Sequence, residues 1–103
     1  MNLSIKERIE LLRHLRGYNT DKTSEMELVR NIYDKIDLSE EKRKLLAIAE
    51  DVNGYHIGFE QDAEFEFAEP EIEFLKKFHG LVESNSRINL NNLSLFVKIR
   101  DYS

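Results

Sequence analysis

Ser4, Ser24, Ser39 and Pro70 punctuate this chain, and each opens a segment with a glutamate in its first turn. A serine at a helix start accepts a bond from an orphaned amide, and a glutamate three residues on can return one. A proline in a first turn costs nothing, because its missing N–H would have had no partner there. These four helix starts leave only the window 46–68 and a short tail for other structure.

Ser4-Ile5-Lys6-Glu7 is a capping box, and Ile5, Ile9, Leu12 and Leu15 follow at helical spacing, with Leu11 widening the stripe. This predicts a helix over 4–16, stopped by Gly17 in a left-handed conformation. Ser24 to Glu27 forms a second capping box, and Met26, Val29, Ile32, Tyr33 and Ile36 share a face, predicting a helix over 24–36. Ser39 caps a third, with Glu40 and Glu41 facing its positive end. Ile72, Leu75, Phe78, His79 and Val82 make a stripe behind Pro70, with Gly80 weakening the last turn or ending the helix. The tail from Asn89 suits either state: Leu90, Leu93, Phe96 and Val97 fit a helix, while Leu93, Leu95, Val97 and Ile99 fit a strand. A helix is preferred, since no turn signal returns this segment to a sheet.

Asn53-Gly54 ends the third helix early. Asn-Gly favours a two-residue hairpin turn of the type that needs positive φ at both central residues. That turn sets Val52 opposite Tyr55, Glu50 opposite Ile57 and Ile48 opposite Phe59, with five of the six apolar. Phe65 and Phe67 alternate with Glu64 and Glu66, as in a strand with one buried face. The expectation is an α+β domain spanning 1–103: three N-terminal helices, an antiparallel β-meander (about 46–52, 55–60 and 63–68) and two C-terminal helices.

The hydrophobic share of 41%, with six Phe and four Tyr, is too high for a disordered chain. There is no cysteine, which excludes disulfides and thiolate zinc sites and favours a cytosolic setting. No apolar block has the length of a signal peptide core or a membrane span. Glycines 17, 54, 58 and 80 stand too far apart for a phosphate loop, and no Gly-x-Ser-x-Gly elbow occurs. His14, His56 and His79 lack metal-helix spacing; His79 is expected to be packed and His56 solvated. Lys42-Arg43-Lys44 and the basic residues Lys6, Arg8, Arg13 and Arg16 raise the question of DNA binding. However, the connection between the first two helices is too long for a helix-turn-helix, and Glu25, Glu27 and Asp34 would repel phosphates. No cofactor is expected.

The net charge of −5 is uneven: residues 46–103 carry five Lys and Arg against eleven Asp and Glu. Seven of those acids fall within fourteen residues: Glu60, Asp62, Glu64, Glu66, Glu69, Glu71 and Glu73. Phe65, Phe67 and Pro70 interrupt the run, so it is no calcium loop. The plainest reading is a solvated strand face that guards a sheet edge. The functional reading is a contact region for a basic protein partner, with Tyr55 or Phe59 as apolar anchors. Two alternatives stay open. The carboxylates could mimic a DNA backbone and inhibit a nucleic-acid-binding host protein, or two of them could serve a small hydrolase. A homodimer through a sheet edge or the last helix also suits so small a core.

The order of these blocks resembles a family of small uncharacterised proteins from tailed bacteriophages and prophages. The resemblance is carried by the stretch from Leu3 to Leu12, Glu27-Leu28-Val29-Arg30, Leu38-Ser39-Glu40-Glu41, the stretch from Glu64 to Lys77, and Leu93-Ser94-Leu95-Phe96. It implies a non-enzymatic phage accessory protein in the bacterial host cytoplasm. No activity is assigned to the family, so no site residues carry over. Gly80 and Pro70 depart from its pattern.

Overall fold

The computed structural model describes residues 1–102. The chain is α+β, and its elements run β1 (Asn2–Ser4), α1 (Ile5–Arg16), α2 (Thr23–Ile36), α3 (Glu40–Leu45), β2 (Ile48–Asp51), β3 (Gly54–Ile57), β4 (Asp62–Glu64), α4 (Glu69–Ser84) and α5 (Leu93–Asp101). Helices precede and follow a hairpin region, as expected, and the tail is helical. No helix among the described residues is long and apolar enough to cross a membrane.

The capping box of α1 forms as anticipated. The Glu7 amide donates to Ser4 Oγ at 3.1 Å, and the Ser4 amide donates to Glu7 Oε1 at 2.8 Å. Ser39 caps α3 through the Lys42 amide at 3.1 Å. Two other helix signals act differently. Ser24 lies inside α2, whose N-cap is Lys22 with no side-chain bond. Gly17 closes α1 at φ −88°, not in the left-handed region, and its amide donates to His14 O. Gly80 is carried within α4.

The meander does not form. β2 pairs only with β3, while β4 pairs antiparallel with β1 at the other end of the chain. Backbone bonds between Met1 and Phe65 extend that second ladder by one pair. β4 is also shorter than the predicted 63–68, because the short β1 offers nothing for residues 66–68 to pair with. Phe65 and Phe67 still turn inward: Phe67 is buried, and Phe65 is half-buried beneath the Arg8 guanidinium at 4.9 Å.

The hairpin turns at Val52-Asn53, with Asp51 opposite Gly54, Glu50 opposite Tyr55 and Ile48 opposite Ile57. Its physical cause is Asp51, whose Oδ1 accepts the amides of Asn53 (2.8 Å) and Gly54 (3.1 Å). Neither Asn53 nor Gly54 has positive φ, so the expected Asn-Gly turn is absent. The register moves by two residues, which preserves side-chain parity. Ile48, Glu50, Tyr55 and Ile57 therefore share the inward face that the alternation predicted, whereas Val52 and Phe59, expected on the same face, are exposed because the turn falls at Val52-Asn53 and β3 ends at Ile57.

α1 organises the interior. Leu11, Leu12 and Leu15 enter a large cluster with Leu3, Val29, Ile32, Ile36, Phe67, Phe74, Leu75, Phe78, Val82, Leu95, Phe96 and Ile99. Ile5 and Ile9 enter a second cluster with Leu38 and Leu46, against which Ile48, Tyr55 and Ile57 pack. The charged residues this brings inside are satisfied. Arg8 donates to the carbonyls of Ile36 (2.9 Å) and Asp37 (3.1 Å), which lack partners at the end of α2. Glu7 receives Lys98 Nζ at 2.7 Å, which ties α5 to the start of α1.

Candidate functional site

The seven acids of the run divide into two sets. Glu60, Glu64 and Glu71 bond within the chain. Glu60 reaches the N-terminus of α1, where Oε1 accepts the Ile5 amide at 2.6 Å and Oε2 accepts the Lys6 amide at 3.2 Å. With the Ser4–Glu7 box, all three leading amides of α1 then have acceptors. Glu64 lies 3.0 Å from the Met1 amino group across the β1–β4 ladder. Glu71 is buried, and its Oε1 accepts the Ala68 amide at 2.6 Å and Lys35 Nζ at 2.8 Å. Glu71 therefore does not belong to an outward contact surface, contrary to the sequence expectation.

Asp62, Glu66, Glu69 and Glu73 are exposed, and their carboxylates bond to no other group among the described residues. Glu69 and Glu73 are one turn apart on α4 and so share a helix face. Glu66 precedes that helix, and its carbonyl accepts Lys35 Nζ at 2.8 Å. Lys35 thus neutralises the inner side of this segment while the outer side stays anionic. No group of three or more His, Asp or Glu side chains among the described residues could hold a metal ion.

The two aromatic anchors also separate. The Tyr55 hydroxyl donates to Glu10 Oε2 at 2.6 Å, and its ring lies 5.6 Å from the Arg13 guanidinium. Burial and the Glu10 carboxylate both push this phenol above its ordinary value. Tyr55 is half-buried in the hairpin's packing and, contrary to the sequence expectation, presents no free anchor. Phe59 is 64% exposed, and its amide donates to Leu46 O at 3.0 Å, which sets it beside the end of α3. Leu45, at that end, is 72% exposed.

Sequence reasoning missed a second charged centre. Glu50 Oε2 receives Arg13 Nη1 and Arg16 Nη1, both at 3.1 Å, and Oε1 receives Arg43 Nη1 at 3.2 Å. Burial alone would raise the Glu50 carboxyl, but the bonds from Arg16, Arg13 and Arg43 outweigh it and hold the group below its ordinary value. The Arg13–Arg16 spacing on α1 was a visible signal; their convergence on Glu50 depended on the hairpin's position.

His14 occupies a third centre. Its Nε2 lies 3.0 Å from Asn92 Nδ2, and Asn92 is fully buried. The same Nδ2 donates to Arg87 O, while Asn92 Oδ1 accepts the Asn89 amide. Those two bonds fix the amide's orientation, so His14 Nε2 must accept and its proton sits on Nδ1. Phe96 and Phe78 meet the His14 ring edge-on. His79 stacks on Phe96, whereas His56 is exposed. Comparison with protein-family models, with curated proteins and with solved structures finds no match.

Proposed function

We propose that this chain is a non-enzymatic protein-binding module whose contact surface is built from Asp62, Glu66, Glu69 and Glu73, with Phe59, three residues before Asp62 in the chain, as the apolar anchor. One observation carries the reading: four exposed carboxylates within twelve residues lack partners, while neighbouring acids of the same run are consumed as caps and ion pairs. Unneutralised charge of one sign favours a partner of the other sign and accelerates encounter with it. An exposed phenylalanine supplies the burial that rim charges do not. The partner is therefore a protein with a basic surface and an apolar pocket. The phage accessory role and the bacterial host rest on the family resemblance alone, and the cytoplasmic setting on that and the lack of cysteine. DNA mimicry has less support, because the carboxylates left free are fewer than the run suggested. The hydrolase reading has less still, since the free carboxylates sit on exposed residues.

The test reverses Asp62, Glu66, Glu69 and Glu73 to Lys and compares capture from a bacterial lysate with wild type. Reversal of Glu40 and Glu41, exposed on α3, is the control. The reading predicts a captured basic protein that is lost in the fourfold variant, retained in the control and weakened by Phe59→Ala. A partner retained by the fourfold variant refutes it. Glu60, Glu64 and Glu71 are left intact, because changing them would disturb folding.

A further inference from the structure

We infer that the depression between α1 and the tip of the β2–β3 hairpin binds a tetrahedral oxyanion, with a phosphate group as its ligand. The depression, about 500 Å³, is lined by Arg13, Arg16, Glu50, Asp51 and Val52. None of the four free acids of the proposed partner surface lines it, so this site stands independently of that one.

Donor accounting carries the inference. Arg13 commits Nη1 to Glu50 and to the Asp51 carbonyl, leaving Nε and Nη2 without a protein acceptor among the described residues. Arg16 commits Nε to the Tyr33 hydroxyl at 2.7 Å and Nη1 to Glu50, leaving Nη2. The two cations share a single oxygen of Glu50, and that one carboxylate answers three guanidiniums in all. The other oxygen belongs to Arg43, which also lies 3.6 Å from Asp37. Asp51, at the rim, and Glu10 keep their charge, but their bonds go to the turn amides and the Tyr55 hydroxyl, and neither carboxylate bonds Arg13 or Arg16 among the described residues.

The geometry points to phosphate rather than carboxylate. A phosphate carries more negative charge and more acceptor oxygens than a carboxylate, so one ion can serve the free Nε and Nη2 of Arg13 and the free Nη2 of Arg16 together. Each guanidinium lies 5.6 Å from a tyrosine ring centre, Arg13 at Tyr55 and Arg16 at Tyr33. Their donors are therefore largely ordered before a ligand arrives, which lowers the entropic cost of binding. Glu50 acts as a resident competitor for the same donors.

The test titrates the full chain with inorganic phosphate at constant ionic strength and neutral pH, following guanidinium and backbone N–H signals by NMR. Wild type should show saturable shifts centred on Arg13, Arg16 and residues 50–52, and acetate should bind more weakly. Arg13→Lys keeps the charge but loses the free Nε–Nη2 fork, Arg16→Lys keeps it but loses the free Nη2, and each should weaken phosphate on the order of tenfold, as loss of a charge-assisted bond does. Glu50→Gln removes the competitor and should tighten binding on the order of tenfold; the lysine variants decide the matter if that one fails to fold. Linear, unsaturated shifts in wild type would overturn the proposal. So would lysine variants that bind as tightly as wild type, or acetate that matches phosphate.

Discussion

Replacing Glu71 and Glu73 separately tests the division of the acidic run. Glu71 is 5% exposed, and one of its oxygens accepts both the Ala68 amide and Lys35 Nζ. Removing the charged acceptor of this part-buried bond to the Ala68 amide costs about 1.5–3 kcal/mol. Losing a negative charge at a helix N-terminus costs about 0.3–1 kcal/mol more. Lys35 is one-third exposed and keeps the Glu66 carbonyl, so stranding it adds little. Glu71→Ala should therefore destabilise by about 2–3 kcal/mol. In a domain this small that lowers Tm by about 10–20 °C. Glu71→Gln keeps an acceptor, loses the charge and should fall between. Glu73→Gln, two residues away and exposed, should stay within about 0.5 kcal/mol of wild type. Urea unfolding at neutral pH, followed by circular dichroism, measures all three. Equal effects from Glu71→Ala and Glu73→Gln would refute the division.

The joint between α3 and the hairpin gives a second test. Ala47 has φ 52°, and a Cβ added at Gly58 would lie 2.5 Å from Ala47 Cβ and 3.1 Å from Leu46 O. Gly58→Ala should cost about 1–3 kcal/mol by overpacking. Adding Ala47→Gly should recover part of that loss, and strict additivity in the double-mutant cycle would count against the contact. Acid should destabilise the fold in two stages. Burial holds the His14 imidazole below its ordinary 6.5, with Glu10 opposing and Arg87 adding to the effect. The unfolded chain therefore takes up this proton first, so the contribution is complete above about pH 6.5 and fades as pH falls toward the folded value. Protonation would also set a donor against Asn92 Nδ2. At lower pH, burial would raise the Glu7 carboxyl, but bonds from Lys98, the Ser4 amide and Ser94 hold it below 4.5. Glu50 is also depressed, so both contributions are complete above 4.5 and lost as pH falls through the folded values. Imidazole NMR that shows His14 titrating above 6.5 would contradict the first stage.

Helix starts were legible where a signal acts within a few residues. Ser4 and Ser39 cap their own helices, and Pro70 sits in the first turn of α4. The hairpin's inward face was legible too, because alternation survives a register shift of two. Long-range pairing was not. β1 is three residues long, and nothing local in Asn2-Leu3-Ser4 announces a partner at Asp62–Glu64. The acidic run misled for the same reason. A glutamate that caps a distant helix, as Glu60 does, reads in sequence like one that faces water. Glu71 carried a partial signal, since it stands three residues after the N-cap Ala68. The Arg13–Arg16 pair lay in plain view on one helix face, but only the hairpin's return supplied the acceptor they share.

A helix gripped from both sides leaves no seam along which this molecule can come apart. Ile5 and Ile9 belong to one cluster and Leu11, Leu12 and Leu15 to the other, so lifting the hairpin would wet the very rod on which the remaining helices lean. Arg13 and Arg16 ride on that rod, and Glu50 rides on the hairpin. An ion lodged among them would act as a rivet, and what it fastened locally would be felt as resistance to unfolding throughout the chain.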